Sequence, residues 1–201
     1  MKKTWNRIET WLEGQAPLIL GSLAGGASDQ ELEECERGLG ISLPESVRES
    51  YRIHNGQHES EITTSSFIYE YRLFSLRRIA QEWSIWADLA NRGEFNGVSS
   101  EAPGRVRDDL WWRPEWIPLT GNSAGDHHCL DLDPTEEGEV GQIISFWHDS
   151  PSRQLLADSF EHWLEGFATH LEQGYFIYSL EDGGLVITPD RAADLYRRLA
   201  K

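Results

Sequence analysis

Residues Gly121-Asn122-Ser123-Ala124-Gly125 spell G-x-S-x-G. In serine hydrolases that spacing sets the nucleophile on a strained turn between a strand and a helix whose start helps build an oxyanion hole. In this chain the turn is succeeded by His128-Cys129-Leu130-Asp131-Leu132, which alternates with period two and has no helical period, so it reads as a strand. Asp149 and His162 come later in the order a triad needs, but such residues are common. A motif without its structural context is weak. The turn therefore reads as a glycine-rich connection between strands, and no catalytic residue is assigned.

The same region is rich in possible metal ligands: Asp126, His127, His128, Asp131, Asp133, His148 and Asp149. On a strand, residues 126, 128, 130 and 132 share a face, and on the partner strand 144, 146 and 148 do. With Leu130, Leu132, Ile144 and Phe146 marking the buried face, parity brings Asp126, His128 and His148 together. Zinc or iron could be held this way, so a metal-dependent hydrolase using these three residues is one alternative function. None of the spacings is a recognised ligand motif, and a hairpin in any register gathers some such cluster. No metal or cofactor is assigned. Cys129 alternates to the face opposite Leu130, with acidic neighbours that raise a thiol pKa, and Cys35 lies among Glu33, Glu34 and Glu36. Neither reads as a nucleophile.

Charge and aromatic content point elsewhere. Between Arg113 and Arg153 there is no Lys or Arg, whereas Asp and Glu occur eight times. Glu136, Glu137 and Glu139 fall at the tip of the hairpin in this stretch, and Trp111 and Trp112 immediately precede it. A one-sign run is usually a solvated face; one that coincides with a whole substructure projects a coherent negative field. Aromatics beside a charged rim have the composition of an interface hot spot. The candidate partner-binding set is Trp111, Trp112, Glu115, Glu136, Glu137 and Glu139, against the plainer alternative that both indoles pack in the core.

The elements that must position these residues are given by periodicity and punctuation. Trp5, Ile8, Trp11 and Leu12 fall at helical spacing over 3–13. Ser28 and Glu31 form a capping box for a helix to about Arg37, stopped by Gly38 and Gly40. Leu43-Pro44-Glu45 opens another, running through Tyr51 to Asn55-Gly56. Residues 66–74 read as a strand, and Ser75 opens a helix with Ile79, Trp83, Trp86, Ala87 and Ala90 on one side. Residues 93–110 are a long loop. Strands are predicted at 116–119, 128–132 and 140–148, then a helix over 155–172 with Leu156, Phe160, Trp163, Leu164, Phe167 and Leu171 inward. A hairpin turning at Glu181 to Gly184 and a helix from Pro189 to Leu199 complete the chain, with Arg197, Arg198 and Lys201 at its negative end. The strands do not alternate regularly with helices, which disfavours a doubly wound parallel sheet. The predicted fold class is α+β, a mostly antiparallel central sheet with helices packed against it, in a single domain over 1–201. The strands on either side of the long loop are expected to share that sheet.

The 201 residues carry 34 acidic and 18 basic side chains, a net charge of −16, and nine tryptophans. Such a chain repels phosphate and anionic membrane surfaces, so neither nucleic acid nor membrane is expected as a partner. A cationic protein would be drawn to it. No apolar run is long enough to span a bilayer, the N-terminus does not read as a signal peptide, and two cysteines far apart suit a reducing compartment. The expected location is cytoplasmic.

One resemblance adds to this reading. The run Trp116-Ile117-Pro118-Leu119, Gly121 to Gly125 with Asp126, Cys129-Leu130-Asp131-Leu132-Asp133-Pro134, and Gly141-Gln142-Ile143-Ile144 with Phe146 and His148-Asp149 resembles the SUKH superfamily, the Smi/Knr-like domain. Leu43-Pro44 through Tyr51 to Asn55-Gly56, and Ala157-Asp158-Ser159-Phe160 with Trp163-Leu164, are similar to its flanking helices. The matches cover about residues 28–172, leaving an extra N-terminal helix and a C-terminal hairpin and helix. The resemblance implies an α+β fold without known catalytic residues. It implies a non-catalytic protein-binding module, first of all a bacterial immunity protein occluding the basic site of a cognate toxin, and as a further alternative a regulatory scaffold of cell-wall assembly as in fungi. Long disordered arms would favour the scaffold, and this sequence shows none.

Overall fold

The computed structural model describes residues 1–58 and 66–199, so the predicted role of Lys201 lies outside the described residues. Helix α1 (Lys2–Gln15) buries Trp5, Ile8 and Leu12, with Trp11 half-buried beside them. A short α2 (Pro17–Leu20), absent from the predicted elements, comes directly after it. The capping box at α3 (Asp29–Leu39) forms as expected: Ser28 Oγ accepts from the Glu31 amide, and Glu31 Oε2 accepts from the Ser28 amide at 2.8 Å. The helix passes through Gly38 and stops at Gly40, which takes φ +70°. Helix α4 (Glu45–Tyr51) ends before Asn55-Gly56, with Pro44 just outside its first turn.

The strand expected over 66–74 is mostly a turn. Tyr69 and Glu70 adopt positive φ (51° and 68°), which folds Phe67-Ile68 back onto Tyr71 and leaves only β1 (Arg72–Leu73) extended. Non-glycine residues rarely adopt such angles. The buried Tyr69 ring, 5.1 Å from Phe167 and 6.2 Å from Trp163, holds the turn in place. Ser75 caps α5 (Leu76–Asn91) by accepting from the Arg78 amide.

Irregular chain then leads to β2 (Trp116–Pro118), β3 (Thr120–Gly121), β4 (His127–Asp131) and β5 (Gln142–Phe146). The helix predicted from Leu155 starts later. Leu155–Ala157 is strand β6, and Ser159 caps α6 (Phe160–Glu172) by accepting from His162 N. The inward residues of α6 are those predicted with Ala168 added, except Leu156, which lies on β6. The final hairpin, β7 (Phe176–Ser179) and β8 (Gly184–Ile187), precedes a 3-10 turn at Pro189–Arg191 and α7 (Ala192–Leu199).

The fold is α+β. Its central antiparallel sheet has the order β2-β4-β5-β6, while β1 pairs with β3, and β7 with β8, in separate two-stranded ribbons. The expectation that the strands flanking the long loop share one sheet is therefore corrected: β1 sits outside it. Register is corrected too. Leu130 opposes Ile143, while Cys129 opposes Ile144 and His127 opposes Phe146. Leu130 and Ile143 pack into the main core with Phe160, Trp163 and Leu164. Cys129, Ile144 and Phe146 enter a second core with Trp86, Val106 and Trp112. Alternation alone implies a single buried face, the common case for antiparallel sheets. In this molecule α6, with α1 packed behind it, covers one side, and α5 with the long loop covers the other.

Candidate functional site

The G-x-S-x-G segment is a turn between strands. Gly121 ends β3, and a Cβ there would lie 2.2 Å from the Phe74 ring, so the glycine is needed for packing. Asn122 Oδ1 accepts from the amides of Ala124 and Asp126, and strand β4 comes next. No helix start stands behind exposed Ser123.

The three residues of the expected metal set separate. His148 Nδ1 lies 3.0 Å from Asp126 Oδ1, and with Asp149 their ligand atoms fall within 4.8 Å of one another. His128 points to the main core instead, its ring 4.4 Å from Tyr71 and 5.9 Å from Trp163. Burial, with His127 adding, pushes its pKa down to about 3. It opposes Ser145, not His148. The shared face of Asp126, His128 and His148 is corrected, because the sheet has core on both sides. In the surviving pair, burial pushes the Asp126 carboxyl up. Hydrogen bonds from Asn122 and from the ring and amide of His148 outweigh this and hold it below its usual range. Bonding to Asp126 raises His148 in turn. Both thiols are buried, Cys35 pushed up to about 11 and Cys129 higher still.

Aromatic side chains dominate the other face of the sheet. Trp112 is only 4% exposed and packs at 6.1 Å against Trp83, so of the two indoles it takes the core alternative. Trp111 is half-buried, its ring stacked on Phe95 at 6.3 Å and Phe95 stacked on Trp86 at 6.0 Å. Arg153 lies beneath, 1% exposed, its guanidinium 4.3 Å from the Phe146 centroid and 5.1 Å from that of Trp111. Between α5 and the Leu110–Trp112 wall runs a groove of about 400 Å³, floored by Ala87 and Ala90 and lined by Trp83, Phe95 and Leu110. A larger cleft of about 970 Å³ opens beside the Asn122–Gly125 turn. It is polar, with Arg78 paired to Glu82 at 2.8 Å, and His127 lies in its wall. Trp86 Nε1 donates to His127 Nε2, so Nδ1 carries the proton and donates to the Thr120 carbonyl. The small groove has the aromatic lining that binding surfaces favour.

The acidic loop is less isolated than its sequence suggests. Arg105 pairs with Asp158 at 2.6 Å and donates to the Glu137 carbonyl, and Arg107 pairs with Asp133 at 3.1 Å. Arg113 bridges Asp133 and Asp109, tying the groove wall to the hairpin. The side chains of Glu136, Glu137 and Glu139 remain exposed at the tip, and Glu115 is half-buried. Sequence reasoning missed Trp83, Phe95 and Leu110 as groove residues. The available signal was the α5 face itself, where Trp83, Ala87 and Ala90 continue the apolar stripe past what the core covers.

A family model described as the SMI1 / KNR4 family (SUKH-1) matches residues 26–166, a span that holds the central sheet, the groove and the acidic loop. The chain belongs to the SMI1/KNR4 family. It is 26% identical over 89% of its length to "Cell wall assembly regulator SMI1" of Saccharomyces cerevisiae. It is 27% identical over 85% to "Glucan synthesis regulatory protein" of Neurospora crassa. With "Cell wall biosynthesis/cell cycle regulator smi1" of Schizosaccharomyces pombe it shares 28% over 92%. The chain spans only about two fifths of each of these relatives (41%, 38% and 39%). Their names fit the regulatory-scaffold expectation and lend nothing to the toxin-neutralising one. Hairpin β7–β8 and α7 lie outside the SMI1/KNR4 match, as does the whole N-terminal helical pair α1 and α2. Among the described residues, no helix is long and apolar enough to cross a membrane.

Proposed function

We propose that the chain is a non-catalytic, protein-binding regulatory module acting in cell-wall assembly or glucan synthesis. The observation that carries this reading is its membership of a family whose relatives bear those regulatory names. The chemistry of the chain supports it. The thiols are buried and protonated, the G-x-S-x-G turn lacks its helix, and the expected metal triad is divided by the sheet. A net charge of −16 favours a cationic partner, through steering and complementarity. Of the candidate contacts, Trp111 and the Glu136, Glu137 and Glu139 tip face outward, Glu115 lies at the margin, and Trp112 supports the wall from beneath. The toxin-occluding reading rests on the superfamily resemblance and the charge, without a relative's name behind it, and ranks second.

Cross-linking of the tagged chain in its source cells, followed by reconstitution with the purified partner, tests the proposal. The expected result is a stoichiometric complex whose association slows steeply with salt, and slows further with Glu136, Glu137 and Glu139 changed to Lys. Failure to form a stoichiometric complex with any recovered protein overturns it. Turnover by a chain carrying stoichiometric zinc or iron does so as well.

A further inference from the structure

We infer that the groove between α5 and the Leu110–Trp112 wall binds an extended, proline-containing, Arg/Lys-rich segment of another protein. This inference rests on the protein-binding reading and names the chemistry of the partner.

The groove is apolar where an occupant would sit. Ala87 and Ala90 keep the α5 floor low, and Leu110, 46% exposed, and the half-buried Trp83 and Trp111 form the sides. Aromatic-lined grooves of this kind take polyproline II segments, which arrive already extended and lose little entropy on docking. At about 400 Å³ the groove holds a few side chains. The chain supplies an internal version of the contact: Trp83 Nε1 donates to the carbonyl of its own Pro114 at 2.7 Å.

Charge decides what flanks the prolines. Asp88, Glu94 and Asp108 are exposed, each one or two positions from a lining residue, with Asp109 and Glu115 beside Leu110 and Pro114. The cations of this neighbourhood, Arg92, Arg107 and Arg113, are directed at acids, Arg92 at Asp88, Arg107 at Asp133 and Arg113 at Asp109 and Asp133, while Arg153 is buried beneath Trp111. The rim therefore keeps an excess of negative charge. An acidic or neutral segment gains nothing from that field.

The test uses the full chain and fluorescein-labelled Arg-Pro-Pro repeat peptide, read by anisotropy, with Glu-Pro-Pro and Arg-Gly-Gly repeats as controls. Saturable binding of the Arg-Pro-Pro peptide is expected, about tenfold or more tighter than either control. Trp111→Ala should weaken it by at least about tenfold. Because that change removes a ring lying over Arg153, Leu110→Ser and Asp88→Lys, at exposed positions, must weaken it too while circular dichroism stays unchanged. Equal affinity for Arg-Gly-Gly reduces the effect to charge and overturns the proposal. So does binding indifferent to Leu110→Ser and Asp88→Lys. A concentration-dependent dimer lost in Leu110→Ser assigns the groove to a second copy instead. If a recovered partner binds Leu110→Ser as tightly as the parent chain, the groove fails while the protein-binding reading stands. If no partner forms a complex at all, that reading fails first.

Discussion

The carbonyl of Trp111 accepts a hydrogen bond from Nη2 of Arg153 at 2.8 Å. The same guanidinium donates through Nη1 to the carbonyls of Ser150 and Ser152 and lies over the rings of Phe146, Trp111 and Trp116. Burial lowers its pKa to about 10, so it remains cationic at neutral pH. One side chain thus fastens the groove wall to the β5–β6 connection.

Replacing that side chain tests its weight. Arg153→Met keeps the volume but leaves three half-buried carbonyls without this donor, each costing about 1 kcal/mol or more. A loss of about 3 kcal/mol or more is expected, lowering Tm by about 6–12 °C. Arg153→Lys, which keeps the charge but loses the planar fork, should fall between. Thermal and urea unfolding measure both.

The buried His128 sets a pH dependence. Its folded pKa of about 3 lies far below the ordinary 6.5, because burial disfavours the charged ring. Between those values the unfolded chain binds a proton that the folded chain refuses, so stability falls as pH drops below about 6.5 and is complete above it. His128→Gln removes the titration. Its stability should change less steeply between pH 6 and pH 4, by up to about 1.4 kcal/mol per pH unit. Urea titrations at several pH values compare the slopes.

Two glycines should respond with opposite signs. A Cβ at Gly56 would meet backbone atoms of Phe74 at 2.4 Å, and its φ is +69°. Gly56→Ala should destabilise by about 3 kcal/mol. Gly14 lies exposed in α1 with nothing within 4 Å of such a Cβ. Gly14→Ala should stabilise by about 0.5–1 kcal/mol. Denaturant midpoints report both.

Thiol accessibility is a further check. Burial holds Cys35 and Cys129 protonated, and Cys35 Sγ lies 3.5 Å from the Leu76 carbonyl. The native chain should react slowly with a thiol reagent at pH 8 and expose both cysteines in guanidinium. Rapid native labelling of either would contradict its placement.

The features legible in the sequence are local. The Ser28–Glu31 box, the Ser75 cap, the Gly40 stop, the buried face of α6 and both later hairpins depend on neighbours a few residues apart. The corrected features depend on distant ones. Alternation over 66–74 cannot register that Tyr69 and Glu70 turn the chain, because the rings that hold Tyr69 come from α6 and β7. Leu156 lies four residues before Phe160, which extends the helical pattern across a strand. The register of β4 and β5 is hidden because the long loop behaves as a third layer. The acidic stretch looks unopposed because Arg107 and Arg113 precede it in the chain yet pair with its Asp133. The groove depends on Trp83, Phe95 and Leu110 converging from separate segments.

The loop bearing Trp111 and Trp112 also roofs one side of the central sheet. Recognition and melting therefore draw on a single reservoir of free energy. A ligand at about a hundred times its Kd would raise stability by about 2.7 kcal/mol. Mutations that loosen the roof would in turn weaken capture without touching any contact, so affinity in this molecule should track heat resistance across a panel of variants.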